Sequence, residues 1–221
     1  MRIVAIADTH LYHEELGELP PGDVLVHAGD MLRFGGLDEL ETFCDWFHRQ
    51  PHPVKIVVAG NHERCFEDQR EKAEALLGPE VHYLQDSGMD LEGLRWWGSP
   101  WQPSYRDWAF NLPRGKALRE RWALIPNDTD ILLTHSPPRG TGDRGPVGGR
   151  DGCEELALRV NEVRPLLHLF GHIHQDGGLW EGSAMTSANV TTWECERQPT
   201  VLDVDSDTRG VVPVQVPPPG D

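Results

Sequence analysis

Five short apolar runs in this chain each stop at an aspartate, an asparagine or a histidine, and that repeated ending constrains the fold more than any other feature. The runs cover 2–7, 23–28, 54–59, 131–134 and 166–170. They are rich in β-branched residues and bounded by Gly, Asp and His, which suits buried strands. Amphipathic stretches separate them. Leu37, Leu40, Phe43 and Phe47 share one helical face, as do Cys153, Leu156, Val160 and Val163. The charged, Ala-rich stretch 66–77 ends at Gly78-Pro79, a helix stop. Strands alternating with helices predict a layered α/β fold. No internal repeat or linker divides residues 1–221 into more than one domain.

The run endings supply a set of polar groups. Asp8 and His10 follow the first run, Asp30 the second, and Asn61 and His62 the third; His135 follows the fourth, and His172 and His174 the fifth. In open α/β sheets, ligand sites lie beyond the carboxyl ends of the strands. One site therefore collects these residues. With His62 set aside, the set holds two Asp, one Asn and four His. Carboxylate, amide oxygen and imidazole together suit Mn²⁺, Fe²⁺ or Zn²⁺; Mg²⁺ is the alternative with fewer His. The set contains no Cys, which excludes a thiolate zinc site. Cys44, Cys65, Cys153 and Cys195 are scattered and read as thiols, not as a disulfide framework. Seven ligands exceed what one ion takes, and two divalent ions sharing a carboxylate fit. Two metals roughly 3.5–4 Å apart form a clamp for displacement at phosphorus.

Charge narrows the partners. The 20 basic and 36 acidic side chains leave a net charge of −16. Such a chain repels phosphate backbones, so it is not a binder of duplex nucleic acid, which needs Lys and Arg to neutralise phosphates. A small phosphate ligand remains compatible if metal ions carry the local positive charge. No run approaches the roughly 20 apolar residues of a membrane span, and the first apolar run is too short for a secretory core. The expectation is a soluble, cytoplasmic protein with no membrane partner.

In order, Asp8-Thr9-His10, Gly29-Asp30, Gly60-Asn61-His62-Glu63, His135 and Gly171-His172-Ile173-His174 resemble the motif series of the calcineurin-like metallophosphoesterase superfamily, D-x-H, GD, GNH-[ED], H and GHxH. The resemblance implies a four-layer α/β/β/α sandwich, with two packed mixed sheets and outer helices. It implies one metal on Asp8, His10, Asp30 and His174, and a second on Asp30, Asn61, His135 and His172. Asp30 then bridges and is a catalytic residue as well as a ligand. The stretches Trp97-Gly98-Ser99-Pro100-Trp101, Trp108-Ala109-Phe110 and Thr134-His135-Ser136-Pro137-Pro138 are similar to the metallophosphoesterase-domain (MPPED-like) branch. That branch implies phosphodiesterase activity on cyclic nucleotides and binding of nucleotide monophosphates. Some of its members carry Gly where this chain has His174, so His174 implies a complete first metal site.

Departures from the family's protein phosphatases also inform. Arg33 stands where their GDxVDRG block has its second Asp, and Ala59 stands where RGNHE has its Arg. The missing Asp usually orients the GNHE histidine, which leaves open what orients His62. The missing Arg clamps phosphate oxygens, and a dianionic monoester wants such a clamp more than a monoanionic diester does. His62 is not needed in either metal shell and reads as a general acid or a donor to a phosphate oxygen. The sequence therefore predicts a dinuclear phosphoesterase that hydrolyses small phosphodiesters, (cyclic) nucleotides among them, by in-line attack of a hydroxide bridging the metals. A phosphomonoesterase and a weakly active nucleotide-binding module are the alternatives. Substrate contacts are expected at Asn61, His62, Arg144 and Arg150, the two arginines lying in the Gly-rich loop 137–152.

The remaining features take plainer readings. His27 and His168 are expected to pack in the core, and His13, His48, His52 and His82 to lie at the surface. The Trp-rich stretch 96–111 is core or a platform for stacking a base. The Pro-rich tail 213–221 is extended and disordered. The net charge of −16 yields a direct test: duplex DNA should show no salt-dependent retention of this protein in a mobility-shift titration between low and physiological salt.

Overall fold

The computed structural model describes residues 1–216. The first three apolar runs form β1 (Arg2–Ile6), β2 (Val24–His27) and β3 (Val54–Val57). The chain then adds β4 (Val81–Tyr83), β5 (Ser87–Leu91), β6 (Leu94–Ser99), and the short pair β7 (Gln102–Pro103) and β8 (Asn111–Leu112). The last two runs form β9 (Ile131–Thr134) and β10 (Leu167–Phe170), followed by β11 (Gly178–Glu181), β12 (Thr186–Asn189), β13 (Thr200–Asp205) and β14 (Gly210–Val214). Helices α1 (Leu37–Arg49), α2 (Arg64–Asp68), α3 (Arg70–Leu77), α4 (Lys116–Trp122) and α5 (Glu154–Val163) fall between strands.

Two six-stranded sheets result, in the orders β14-β13-β1-β2-β3-β4 and β11-β12-β10-β9-β6-β5. In the first, β1 to β4 are parallel and β13 runs antiparallel to both β1 and β14. In the second, β12, β10, β9 and β6 are parallel, with antiparallel edges β11 and β5. Both sheets are mixed, as the motif series implied.

The layers follow from the two-residue alternation of a strand. On β1, Val4 and Ile6 face outward and pack with Leu40, Phe43 and Phe47 of α1. Ile3 and Ala5 face inward and pack with Ile131, Leu133, Leu167 and Leu169 of the second sheet. On β9 the alternate residue, Leu132, packs with Trp122 of α4 and Leu156 of α5. Each central strand is thus covered on both faces, which is why these runs are continuously apolar. The order of layers is helix, sheet, sheet, helix.

Several expectations change. The helix expected over 66–77 is two helices, because Gln69 leaves helical geometry at φ −139° and ψ 42°. The tail expected to be disordered contributes Pro213 and Val214 to β14, an edge strand where a residue without N–H is tolerated. Pro217, Pro218 and Pro219 lie outside the described residues. His13 and His52 are buried, not at the surface. His13 packs against Phe43 and Trp46, and His52 Nε2 donates to the Pro20 carbonyl at 2.9 Å. His27 and His168 are fully buried as expected, each paired with a threonine hydroxyl at 2.9 Å. All four cysteines are free thiols. Among the described residues no helix is long and apolar enough to cross a membrane.

Leu169 is fully buried in the layer between the sheets. Leu169→Ala should cost ~2–5 kcal/mol. A thermal melt should show Tm falling by roughly 2–4 °C per kcal/mol for a chain of this size. A shift of under a degree would mean the two sheets do not share this core.

Candidate metal centre

The site lies where the two sheets present their parallel carboxyl ends side by side. β1 leads to Asp8 and His10, β2 to Asp30, β3 to Asn61 and His62, β9 to His135, and β10 to His172 and His174. The turns are tight enough that Asp8, His10, Asp30 and His172 take positive φ of 57°, 44°, 58° and 71°. Such backbone is costly for residues with a Cβ and clusters at functional sites. Glycine is required beside it: a Cβ on Gly29, itself at φ +98°, would lie 2.5 Å from His135 Nδ1, and one on Gly60 would strike the Asp30 carboxylate. Hydrogen bonds cross between the sheets here. The Asp8 carboxylate accepts the His172 N–H at 3.0–3.1 Å, and His135 Nδ1 donates to the Ala28 carbonyl at 2.9 Å.

All seven residues expected as ligands converge. Asp8, His10 and His174 offer ligand atoms to one point and Asp30, His135 and His172 to a second, and His62 joins His10 and Asp30 in a third group that overlaps both. His174 Nε2 lies 3.7 Å from Asp8 Oδ1 and 3.4 Å from His10 Nε2. His135 Nε2 lies 3.1 Å from Asn61 Oδ1 and 3.2 Å from His172 Nδ1. Asp30 Oδ2 faces both groups, 3.2 Å from His135 Nε2 and 4.0 Å from His10 Nε2.

A family model described as calcineurin-like phosphoesterase matches residues 1–176. The chain belongs to this family. Metallophosphoesterase domain-containing protein 1 of Homo sapiens is 41% identical over 223 residues, covering 90% of this chain and 68% of that protein. Its Mus musculus counterpart matches equally well. One solved structure superposes with a TM-score of 0.76 over 97% of this chain and 98% of that one, at 15% identity, which is a likeness of fold.

The donor set of this metallophosphoesterase fits the divalent metals that the family typically binds. His10 Nδ1 donates to the Leu32 carbonyl at 3.1 Å, which fixes Nε2 as the lone pair. His135 Nδ1 donates to Ala28, so its Nε2 is a lone pair too. That lone pair faces the acceptors Asn61 Oδ1 and Asp30 Oδ2, with His172 Nδ1 3.2 Å away. Acceptors facing acceptors require a cation between them, a metal or failing that a proton. The ionisation of the bare site says the same. Burial pushes the His135 imidazole down, but the Asp30 charge and hydrogen bond outweigh it and hold it up at about 9. Burial also pushes the Asp8 carboxyl up, and the His174 bond and charge outweigh it, holding it at about 2. Burial and the charge on His135 press His172 down to about 4.

What orients His62 is a backbone carbonyl. His62 Nδ1 donates to Arg33 O at 2.5 Å, and its N–H donates to Asp30 Oδ1 at 3.0 Å. The ring then points Nε2 toward Asp30 Oδ2, 4.0 Å away. Arg33, standing where the related phosphatases have Asp, does through its main chain what their carboxylate does through a side chain. Glu63 is a functional residue whose role sequence reasoning missed, although it is part of the Gly60–Glu63 motif. Fully buried, it accepts N–H bonds from Asp30 at 2.8 Å, Gly60 at 2.5 Å and Leu32 at 3.0 Å, lacing the β2 and β3 turns together. Burial, reinforced by the Asp30 charge, lifts its carboxyl to about 7.

A cleft of about 540 Å³ opens beside the centre, lined by His172, His174, Ser136, Tyr105, Arg114 and Val147 among others. Neither Arg144 nor Arg150 lines it. The Arg150 guanidinium is engaged by the buried Asp143 at 2.5 Å, and Arg144 is exposed, its backbone N–H held by Asp176. The cation that does line the cleft is Arg114, 113 to 115 being a stretch with no motif to announce it. Its guanidinium donates to the carbonyls of Asp151 and Gly152 at 2.9 Å each, tying the cleft's two walls.

Because Asp30 faces both ligand groups, Asp30→Asn should lower metal content at both positions together, whereas Asp8→Asn should spare the second. Emission spectroscopy on dialysed protein measures this. Metal binding to the native state alone should raise Tm with metal concentration, and Gly60→Ala should abolish that rise. Equal melting curves with and without divalent ions would show that the cluster is not a metal site.

Proposed function

We propose that this metallophosphoesterase hydrolyses small phosphodiesters, cyclic nucleotides and nucleotide diesters among them. The observation that carries this reading is the disposition of arginines. Arg33 spends its guanidinium on the His10 carbonyl at 3.1 Å and on the Tyr12 ring at 4.2 Å. Arg150 is taken by Asp143. Position 59 is a fully buried alanine. Arg114, which lines the cleft, spends its guanidinium on the Asp151 and Gly152 carbonyls, so these positions leave no free bidentate clamp for the second charge of a monoester. The cleft beside His172 and His174 supports an organic ester group, since it lies in the size range of small-molecule sites. Tyr105, 58% exposed on one wall, and Val147, 93% exposed on the other, are apolar surfaces for a flat base.

Two divalent cations, Mn²⁺ on the strength of the imidazole-rich donors, supply Lewis-acid charge to the phosphoryl oxygens and acidify the attacking water when bound. The protein's own groups do the rest. Asp8, His10, Asp30, Asn61, His135, His172 and His174 hold the cations on a rigid frame. Buried Asp30 fixes the His62 backbone through Oδ1. His62, as imidazolium with its Nδ1–H committed to the Arg33 carbonyl, donates its Nε2 proton to the departing alkoxide.

The proton donor is tested by leaving-group dependence. Nitrophenolate departs unprotonated, while a ribose alkoxide needs a proton. His62→Ala should slow a cyclic nucleotide by about 10²- to 10⁴-fold and a nitrophenyl ester far less, with metal content unchanged. Equal slowing of both substrates would make His62 a phosphate-binding residue. For substrate class, kcat/KM should be higher for bis(p-nitrophenyl) phosphate than for p-nitrophenyl phosphate, and Tyr105→Ala should raise KM for nucleotide diesters but not for dialkyl ones. A preference for the monoester would instead identify a phosphomonoesterase.

A further inference from the structure

His62 sits beneath a tryptophan. The Trp108 and His62 ring centroids are 4.1 Å apart at an interplanar angle of 34°. His10 meets the same imidazole edge-on at 4.6 Å. The Arg33 carbonyl holds Nδ1.

Both halves of this holder are built in. Trp108 is pinned on either side. The Ala109 N–H donates to the Asn61 carbonyl at 3.0 Å, the Phe110 N–H donates to Glu67 Oε1 at 3.1 Å, and the Arg64 guanidinium donates to the Asp107 carbonyl. Phe110, at φ 55°, is fully buried and packs edge-on against Trp101 at 5.5 Å. The indole therefore rides on a short segment fastened to the loop that carries Asn61 and His62 and to helix α2, which follows it. The Arg33 carbonyl is fixed in turn by Glu39, whose Oε2 accepts the N–H groups of Arg33, Phe34 and Gly35 at 3.1, 2.8 and 2.9 Å.

We propose that Trp108 is the positioning residue for His62. Its indole and the Arg33 carbonyl together hold the imidazole in one rotamer and one tautomer. This rests on His62 being the proton donor of the proposed reaction. The His62 side chain is 20% exposed, and the Trp108 ring lies 4.1 Å from it. A ring free to flip about its Cβ–Cγ axis would turn Nε2 away from the centre for part of the time. In the step that matters, the P–O bond to the leaving group breaks and its electron pair stays on that oxygen. His62 enters this step as imidazolium, its Nδ1–H on the Arg33 carbonyl; the oxygen takes the Nε2 proton, leaving a neutral alcohol and a neutral imidazole protonated on Nδ1. That transfer needs Nε2 within hydrogen-bond reach, and small misplacements of a reacting group can cost ~10²-fold.

The test reads the ring directly and then the chemistry. Two-bond ¹H–¹⁵N spectra of the imidazoles are recorded on metal-free and Mg²⁺-loaded protein, with the His62 signals assigned by their loss in His62→Ala. Wild type and Trp108→Phe should show one tautomer with the proton on Nδ1, while Trp108→Ala should show exchange-averaged His62 nitrogens. In the loaded enzyme, Trp108→Ala should lower kcat about 10- to 100-fold for a cyclic nucleotide, with KM unchanged. For a nitrophenyl diester kcat should change by less than about 3-fold, and Trp108→Phe should restore the cyclic nucleotide rate. Should Trp108→Ala melt early, Trp108→Leu, which keeps apolar cover without a planar face, takes its place.

An unchanged His62 pattern in Trp108→Ala overturns the proposal. So does an effect confined to KM for aromatic substrates, which makes Trp108 a platform for the base. If the ring averages in Trp108→Ala while His62→Ala slows both leaving groups equally, the positioning role stands and the proton-donor reading of His62 falls.

Discussion

The Asp30 carboxylate is the constraint around which the molecule is arranged. It is buried, its backbone is left-handed, and its two oxygens serve different masters: Oδ1 takes the His62 N–H, while Oδ2 faces His135 and His10. A carboxylate taken out of water is expensive unless cations or N–H groups surround it. The Glu63 carboxyl, equally buried, is bonded to the Asp30 N–H and sits within reach of the same charge. Two acids in one dry site are compatible only with positive charge close by, and imidazoles from both sheets provide it or yield the position to a metal. That demand explains the Gly29 and Gly60 turns, where a Cβ would collide with the groups gathered there.

The same constraint couples chemistry to the meeting of the sheets. Neither sheet owns a complete cluster. The Asp8, His10 and His174 group takes one member from beyond β10, and the Asp30, His135 and His172 group takes two from the second sheet. The bonds from the His172 N–H to Asp8 and from His135 to the Ala28 carbonyl cross that junction. The apolar layer of Ile3, Ala5, Leu133 and Leu169 behind them sets the separation of the two strand ends. Packing density in that layer, which resists even small changes of volume, is thus what holds ligand atoms at their distances. A metallophosphoesterase built this way places its reactive groups on rigid strand ends and leaves variation to the loops that wall the cleft.

His62 shows how a substitution in a motif is absorbed. With Arg33 at the place of an orienting Asp, the ring is held by a neutral carbonyl whose position depends on Glu39. The Arg33 side chain, freed from that task, covers Tyr12 and braces the His10 carbonyl. The Trp-rich stretch divides between core and site along its length. Trp96 is buried between the sheets, and Trp108 reaches the imidazole twelve residues later.

The sequence by itself determined the five central strands, the helices α1 and α5 and the gathering of Asp8, His10, Asp30, Asn61, His135, His172 and His174. Strands buried on both faces must be continuously apolar, and the gathered residues follow those strands within four positions, so both are written locally. It did not determine β12, whose Thr-Ser-Ala-Asn sequence is polar yet wholly buried. There Asn189 donates to the Gly142 and Ile173 carbonyls, partners no local pattern announces. Nor did it reveal the β5–β6 hairpin, whose strands meet at Glu92-Gly93, a turn with φ of 50° and 73°. Arg114 in the cleft, the burial of His13 and His52, and the Arg33 carbonyl on His62 were likewise decided by the tertiary structure. Each depends on a main-chain or side-chain partner far along the chain, and a backbone carbonyl carries no mark in a sequence of side chains.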